Sequence, residues 1–286
     1  MRFAISYQSP HHGVDPGNLV AYARHAEECG FEGLYLPEHV VLHPGAALRS
    51  VELPPTMPYL DPVDALAFVA AATSRLLLGT GVLLLPYHHP VPLAKRLATV
   101  DVLSAGRLRL LTVGVGALPG EARAVGVDFA TRGRRADEAI DVLRLLWSGG
   151  ADGVSNDGEF FPFADLCSFP QPVGGPLPIH VGGSSPAAAR RAGTRGDGWF
   201  PGGTLPPDER ARQLEVARTA AAGAGRDPAA LEYTRWAPID LPEQSLAAYA
   251  EQGVTRLVVS ATATDPAAQR AQMSAFAARF GLGAGR

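Results

Sequence analysis

Two cysteines, one lysine and three methionines in 286 residues make this a chain poor in reactive side chains. Cys29 and Cys167 have neither metal-binding spacing nor further cysteines to pair with. That excludes a disulfide-stapled or zinc-stapled scaffold and points to a reduced, cytoplasmic setting. No apolar run reaches the roughly 18 residues of a membrane span, so no membrane partner is expected. A net charge of −3 and a pI near 6.2 exclude the basic surface that nucleic acid or an anionic bilayer requires. Met1 leads at once into a strand-like run at residues 2–6, which leaves no room for a signal peptide. Lys95 is the only lysine among 25 basic residues, a bias we attribute to genomic base composition.

What the chain does have is apolar residues, 47% of the total, with Gly and Pro spread as punctuation. The run at residues 76–85 is almost unbroken and ends in Pro86, as suits a strand buried on both faces of a parallel sheet. Inside it, Gly79-Thr80-Gly81 marks a bulge, or a place where another backbone or a ligand comes close. A bent barrel strand without a ligand reads equally well. Strand-like segments at 2–6, 34–36, 76–85, 108–115, 231–236 and 256–260, with two more in the stretches 179–186 and 198–203, alternate with helical periodicity. Asp15-Pro16, Asp61-Pro62 and Asp265-Pro266 place an N-cap and an N1 proline ahead of helices. A helix is expected from about 134 to 147, and residues 149–178 break the pattern as an irregular insertion or a hairpin. Eight alternations in one domain predict an α/β fold, a (β/α)8 TIM barrel with inserted loops. A doubly wound sheet would want a glycine-rich turn after the first strand, and residues 6–11 offer none.

In such barrels the site lies at the C-terminal ends of the strands. That rule gathers His39, Gly81, Gly116 with Glu121, Gly182-Gly183-Ser184 and Trp199 onto one face. A histidine there is either a structural hydrogen-bonder or a proton shuttle. Gly182 to Ser185 could bring backbone and a helix N-terminus to a phosphate, or form a plain capped turn. The arginines at 132, 134, 135, 190 and 191 read as solvated helix faces. A metal-dependent hydrolase finds little support. His39 and His43 stand four apart, but no His-x-His follows the first strand, and Asp197 is the only acid near a later strand end. No metal is expected, and no Gly-x-Ser-x-Gly elbow is present.

Several stretches resemble the luciferase-like monooxygenase superfamily. These are residues 26–39 (AEECGFEGLYLPEH), 89–107 (HPVPLAKRLATVDVLSAGR), 108–116 (LRLLTVGVG), 133–138 (GRRADE), 178–193 (PIHVGGSSPAAARRAG) and 196–201 (GDGWFP). Within it the chain is most similar to the coenzyme F420-dependent oxidoreductases. The resemblance implies a deazaflavin, or alternatively FMN, lying across the strand ends. The ring would rest on Gly79, Thr80, Gly81 and Val82, with a cis peptide bond at Gly81–Val82. His39 would lie beside the reactive face, and Gly116 near it. Gly182, Gly183, Ser184, Ser185 and Trp199 would hold the phosphate-bearing tail. It also implies a homodimer. The chain departs from the family pattern at residues 117–121 (ALPGE), where relatives carry a Trp and two adjacent acids. Glu121 alone remains as the candidate acid.

The expected function is hydride transfer between reduced coenzyme F420 and a small organic substrate, with His39 and Glu121 as the catalytic candidates. An FMN-dependent monooxygenase is the same-class alternative, and a cofactor-binding protein without turnover the alternative from another class. The substrate would sit beneath the loop after His39 and the insertion at 149–178.

Overall fold

Strands that are apolar on both faces must be covered on both, and here they close into a ring covered by helices. The structure is a computed structural model that describes residues 1–48, 50–203 and 205–283. The barrel strands are β1 (Arg2–Ser6), β2 (Gly33–Leu36), β3 (Leu77–Leu84), β4 (Leu108–Gly114), β5 (Ile179–Gly182), β6 (Gly198–Phe200), β7 (Glu232–Trp236) and β8 (Arg256–Val259). All neighbours are parallel, and β8 returns to β1 to complete the eight-stranded barrel predicted from sequence.

Besides two short helices, Ser9–His12 and Pro119–Ala124, the helices are α1 (Pro16–Cys29), α2 (Pro62–Ala72), α3 (Pro90–Leu103), α4 (Arg132–Ser148), α5 (Pro186–Arg195), α6 (Pro207–Gly223), α7 (Ser245–Glu251) and α8 (Pro266–Phe280). None of the described helices is long and apolar enough to cross a membrane. The aspartates ahead of α1, α2 and α8 cap them as expected. Asp15 accepts from the Asn18 amide, Asp61 from Val63 and Asp64, and Asp265 from Ala267 and Ala268. Each such cap is worth about 0.5–2 kcal/mol. The helix expected from 134 begins two residues earlier, because Thr131 precedes it in helical conformation without a side-chain cap. The insertion carries an antiparallel hairpin, Val154–Asn156 with Phe163–Leu166, and the loop after β2 a second one, Ala47–Leu48 with Val51–Glu52.

The main core lies between barrel and helices, with Ile5, Leu34, Leu78, Leu111, Trp147 and Phe276 all essentially inaccessible. A smaller cluster of Ala4, Tyr35, Leu110, Phe200 and Val258 fills the barrel itself. At the N-terminal mouth the filling turns polar. Arg256, buried, donates to Glu32 at 2.6 and 3.1 Å and to Glu232 at 2.6 Å, and Arg2 donates to Glu232 at 2.6 Å. His180 lies in the same layer, 3.4 Å from Glu232 Oε2, and its Nδ1 has no partner.

Burial pushes the His180 pKa down to about 4, against the opposing pull of Glu232, so the ring is neutral in the folded protein. An unfolded histidine titrates near 6.5. As pH falls, the unfolded state therefore takes up this proton first. The stability linked to the neutral ring is complete above about pH 6.5 and is lost as pH falls toward 4. Stability of His180→Gln, measured by urea unfolding from pH 7 to 4, is expected to fall less steeply than that of the parent. Parallel curves would show that the folded ring takes up its proton at the same pH as an unfolded histidine.

Candidate active site

At the opposite mouth lies a cavity of about 550 Å³. It is built from the ends of β2, β3, β4 and β5, consecutive round the barrel, and from the first turns of α4 and α5. Its floor is set by β3. The register slips between Leu78 and Gly79 and again between Gly81 and Leu83, and the Gly81–Val82 peptide is cis, as the resemblance implied. The Val82 side chain then wedges between two neighbouring strand ends. A Cβ at Gly114 would stand 2.6 Å from Val82 Cγ2, and one at Gly182 would stand 2.5 Å from Val82 Cγ1. Both distances are far inside van der Waals contact, so both positions require glycine.

His39 leaves β2 into this cavity, and its partner comes from 82 residues away. Glu121 is buried on a short helix, Pro119–Ala124. One carboxylate oxygen lies 3.1 Å from His39 Nδ1, and the other accepts the Val40 amide at 2.7 Å. A carboxylate only accepts, so Nδ1 carries the proton and Nε2 is left to the cavity. The Tyr59 ring meets the imidazole edge-on at 4.8 Å. Burial, with the Glu121 charge added, raises the Tyr59 phenol above its usual range. A second carboxylate–histidine pair lies alongside. Glu38 accepts from the Leu84 amide at 2.5 Å and lies 2.8 Å from His88 Nε2, tying the end of β2 to the end of β3.

The other end of the cavity is cationic and rich in free amides. Ser185 caps α5 by accepting the Ala188 amide, while Ser184, Ser185, Ala187 and Ala188 line the cavity. Thr131 makes no side-chain cap on α4, whose Arg132 and Gly133 also line it. Helix N-termini leave N–H groups unsatisfied and carry positive potential. Arg132 lies 3.6 Å above the Phe129 ring, and its buried Nε has no partner. Arg191 donates to Asp137 at 2.6 Å and to the Gly133 carbonyl at 3.0 Å, locking the two helix starts together. Arg132 and Arg191 are therefore not the solvated helix faces their sequence suggests. Arg134 and Arg190 are exposed, and Arg135 lies over Phe160 and Phe161 at 5.0 and 4.9 Å.

Of the residues singled out from sequence, His39, Gly81, Val82, Gly116, Gly182, Gly183, Ser184 and Ser185 line one cavity. Gly183 has a φ of +117°, and a Cβ at Gly116 would overlap the Tyr87 hydroxyl. That hydroxyl has no partner, and burial, with Glu121 adding to it, pushes its pKa up to about 12. Glu121 acts from behind His39. Three others stand away from the lining. Gly79 is where β4 comes close, since a Cβ there would stand 2.5 Å from Leu110 Cβ, and the Thr80 hydroxyl donates to the Thr112 carbonyl at 2.7 Å. Trp199 is fully buried, stacks on Tyr233 and donates to the Gly183 carbonyl at 3.2 Å, so it supports the turn from outside. Asp197 precedes β6 instead of following it, at the far mouth, where Arg144 and Arg226 bind it. His43 lies apart from His39's ring nitrogens, with Nδ1 3.0 Å from the Pro44 carbonyl. Among the described residues no three metal-binding side chains are grouped.

The chain matches the luciferase-like monooxygenase family over residues 1–280. An F420-dependent glucose-6-phosphate dehydrogenase of Kribbella flavida is 32% identical over 280 aligned residues, which cover 85% of this chain and 77% of that protein. The solved monooxygenase RslO1 of Streptomyces bottropensis is 28% identical with a TM-score of 0.70, over 98% of this chain and 81% of its own. An F420-dependent secondary alcohol dehydrogenase, solved with an F420–acetone adduct, shares the fold at a TM-score of 0.80 and 16% identity, over 97% of each chain.

The wedge under the cavity can be tested by repacking. Gly182→Ala is expected to cost roughly 1–3 kcal/mol through overpacking against Val82. Adding Val82→Ala to that chain should recover much of the loss, a coupling of at least about 1 kcal/mol by urea unfolding. Additive effects would mean that Val82 is not what requires glycine at 182.

Proposed function

The chain belongs to the luciferase-like monooxygenase family, and from that premise we propose that it transfers a hydride between coenzyme F420 and a small organic substrate. The observation that carries this reading is His39, held by Glu121 through Nδ1 so that Nε2 is free in the cavity. The F420 dependence of the 32%-identical relative supports the choice of cofactor.

The residues present fit an anionic, flat ligand. The unpartnered Arg132 Nε and the free amides at the starts of α4 and α5 suit the phosphate-bearing tail. The bare backbone around Gly81, with Val82 and Leu84, suits one face of a ring system. When bound, the deazaflavin supplies the hydride chemistry, and the protein supplies placement and proton management. In the neutral ring, Nε2 of His39 can accept the proton released when a hydroxyl is oxidised. In the imidazolium it can donate that proton back to a carbonyl oxygen. Glu121 lies 3.1 Å from Nδ1 and orients the ring, and being wholly buried it is shielded from competing water. Leu48, Tyr59 and Ala117 add apolar surface to the same cavity.

A second reading has its own support. The solved monooxygenase at 28% identity favours a reduced flavin working with oxygen on the same scaffold, and FMN also carries a phosphate. Fluorescence titration with F420 and with FMN separates the two. F420 is expected to bind at least tenfold more tightly, a difference of about 1.4 kcal/mol. Equal or tighter FMN binding, with oxygen consumed on adding reduced flavin, would favour the monooxygenase.

For His39→Ala, single-turnover hydride transfer with cofactor saturating should slow by roughly 10²–10⁴. Cofactor affinity should change far less, since the tail is held at the other end of the cavity. A rate within threefold of the parent (~0.65 kcal/mol) in a folded, saturated variant would remove His39 from the mechanism.

A further inference from the structure

The loop between β2 and α2, residues 40–60, carries a small core of its own. Ala46, Leu53 and Leu118 are buried together, with Leu42, Leu48 and Met57 packed against them, and this cluster is separate from the main core. Five of the six residues belong to the loop. The sixth, Leu118, is the residue that starts the short helix bearing Glu121. Next to it, the His43 ring lies across Gly120 so closely that any Cβ there would overlap the imidazole. The loop is also internally braced, with the Leu53 amide donating to the Ala46 carbonyl at 2.8 Å and the Ala46 amide to His43 at 3.0 Å. Its two ends are tied down, the Val40 amide to Glu121 at 2.7 Å and the Leu60 amide to Ser9 Oγ at 3.1 Å.

His39 is therefore gripped from two sides, by Glu121 on the short helix and by the edge of Tyr59 from the loop. The leucine cluster joins these two holders. We propose that residues 40–48 and 50–60 form a lid whose docking on Leu118 holds the His39–Glu121 pair in place, which makes Leu53 and Leu118 positioning residues for His39. Neither lines the cavity, although Leu48 and Tyr59 of the same loop do, so the readouts are taken at the pair itself. A cluster this small can part while the barrel stays folded, as low-stability elements at active sites commonly do. The proposal rests on the reading of His39 given above for its consequence in turnover, but not for its structural content.

The test compares Leu53→Ala with the volume-conserving Leu53→Met. In ligand-free protein, ¹⁵N spectra of the imidazoles report which nitrogen of His39 carries the proton, and hydrogen exchange reports the Val40 amide. Leu53→Ala should mix the tautomers and speed Val40 exchange by about tenfold. With cofactor saturating it should lower kcat by about tenfold (one decade per 1.36 kcal/mol) and leave cofactor affinity within threefold. Leu53→Met should restore all three. Unchanged His39 nitrogen signals and Val40 exchange in folded Leu53→Ala would overturn the proposal. If Leu53→Ala does not fold, Leu118→Val is put to the same measurements with the same two outcomes. Absence of turnover in the parent with F420 would count against the proposed reaction alone, because the spectra and exchange rates decide the lid without it.

Discussion

The architecture of the site depends on where one side chain goes. Val82 sits within the second register slip of β3 and enters a notch formed by Gly114 at the end of β4 and Gly182 at the end of β5. This apolar wedge adds to the backbone ladder that already joins the three strand ends. Beyond that notch the chain is released at Val115 and at Gly183, and both segments turn outward to line the cavity. Interiors this closely packed transmit displacement instead of absorbing it. A shift of Val82 is felt at once by the backbone on both sides.

Polar contacts then work on top of that packing. Glu38 and Glu121 are both buried, each pairs with a histidine, and each also accepts a backbone amide. The double use matters because a buried carboxylate is costly unless its oxygens are satisfied. Glu38 joins two strand ends and leaves His39, its neighbour in sequence, to be oriented by a different acid. Adjacent residues on one strand end thus have separate tasks, one in holding the barrel mouth and one facing the cavity.

Much of this was legible in the sequence where the cause is local. An Asp-Pro pair caps a helix wherever it occurs, so α1, α2 and α8 could be placed from Asp15, Asp61 and Asp265. Eight apolar runs separated by helices leave few topologies, and the barrel followed. What depends on distant residues was not legible. Nothing near Glu121 in sequence announces His39. Gly182 reads as a close approach to a ligand, yet the atom that would collide with its Cβ belongs to Val82. Arg132 and Arg191 look like surface charges because α4 and α5 are read singly; only their convergence turns those helix starts toward one cavity. Trp199 was near the right turn but on its outer side, a distinction that requires knowing which way a three-residue strand faces.

The cationic end of the cavity has a consequence for how such a protein changes over generations. On the proposed reading, much of what it offers an anion is main-chain amide at the starts of α4 and α5, and Ala187 and Gly133 present no functional group beyond that amide. Mutation can exchange such residues for other small ones and leave those amides where they were. Descendants of this chain could diverge there in letters while keeping the same amides, whereas Gly114 and Gly182 could change only together with Val82, whose side chain fills the space that a Cβ would need.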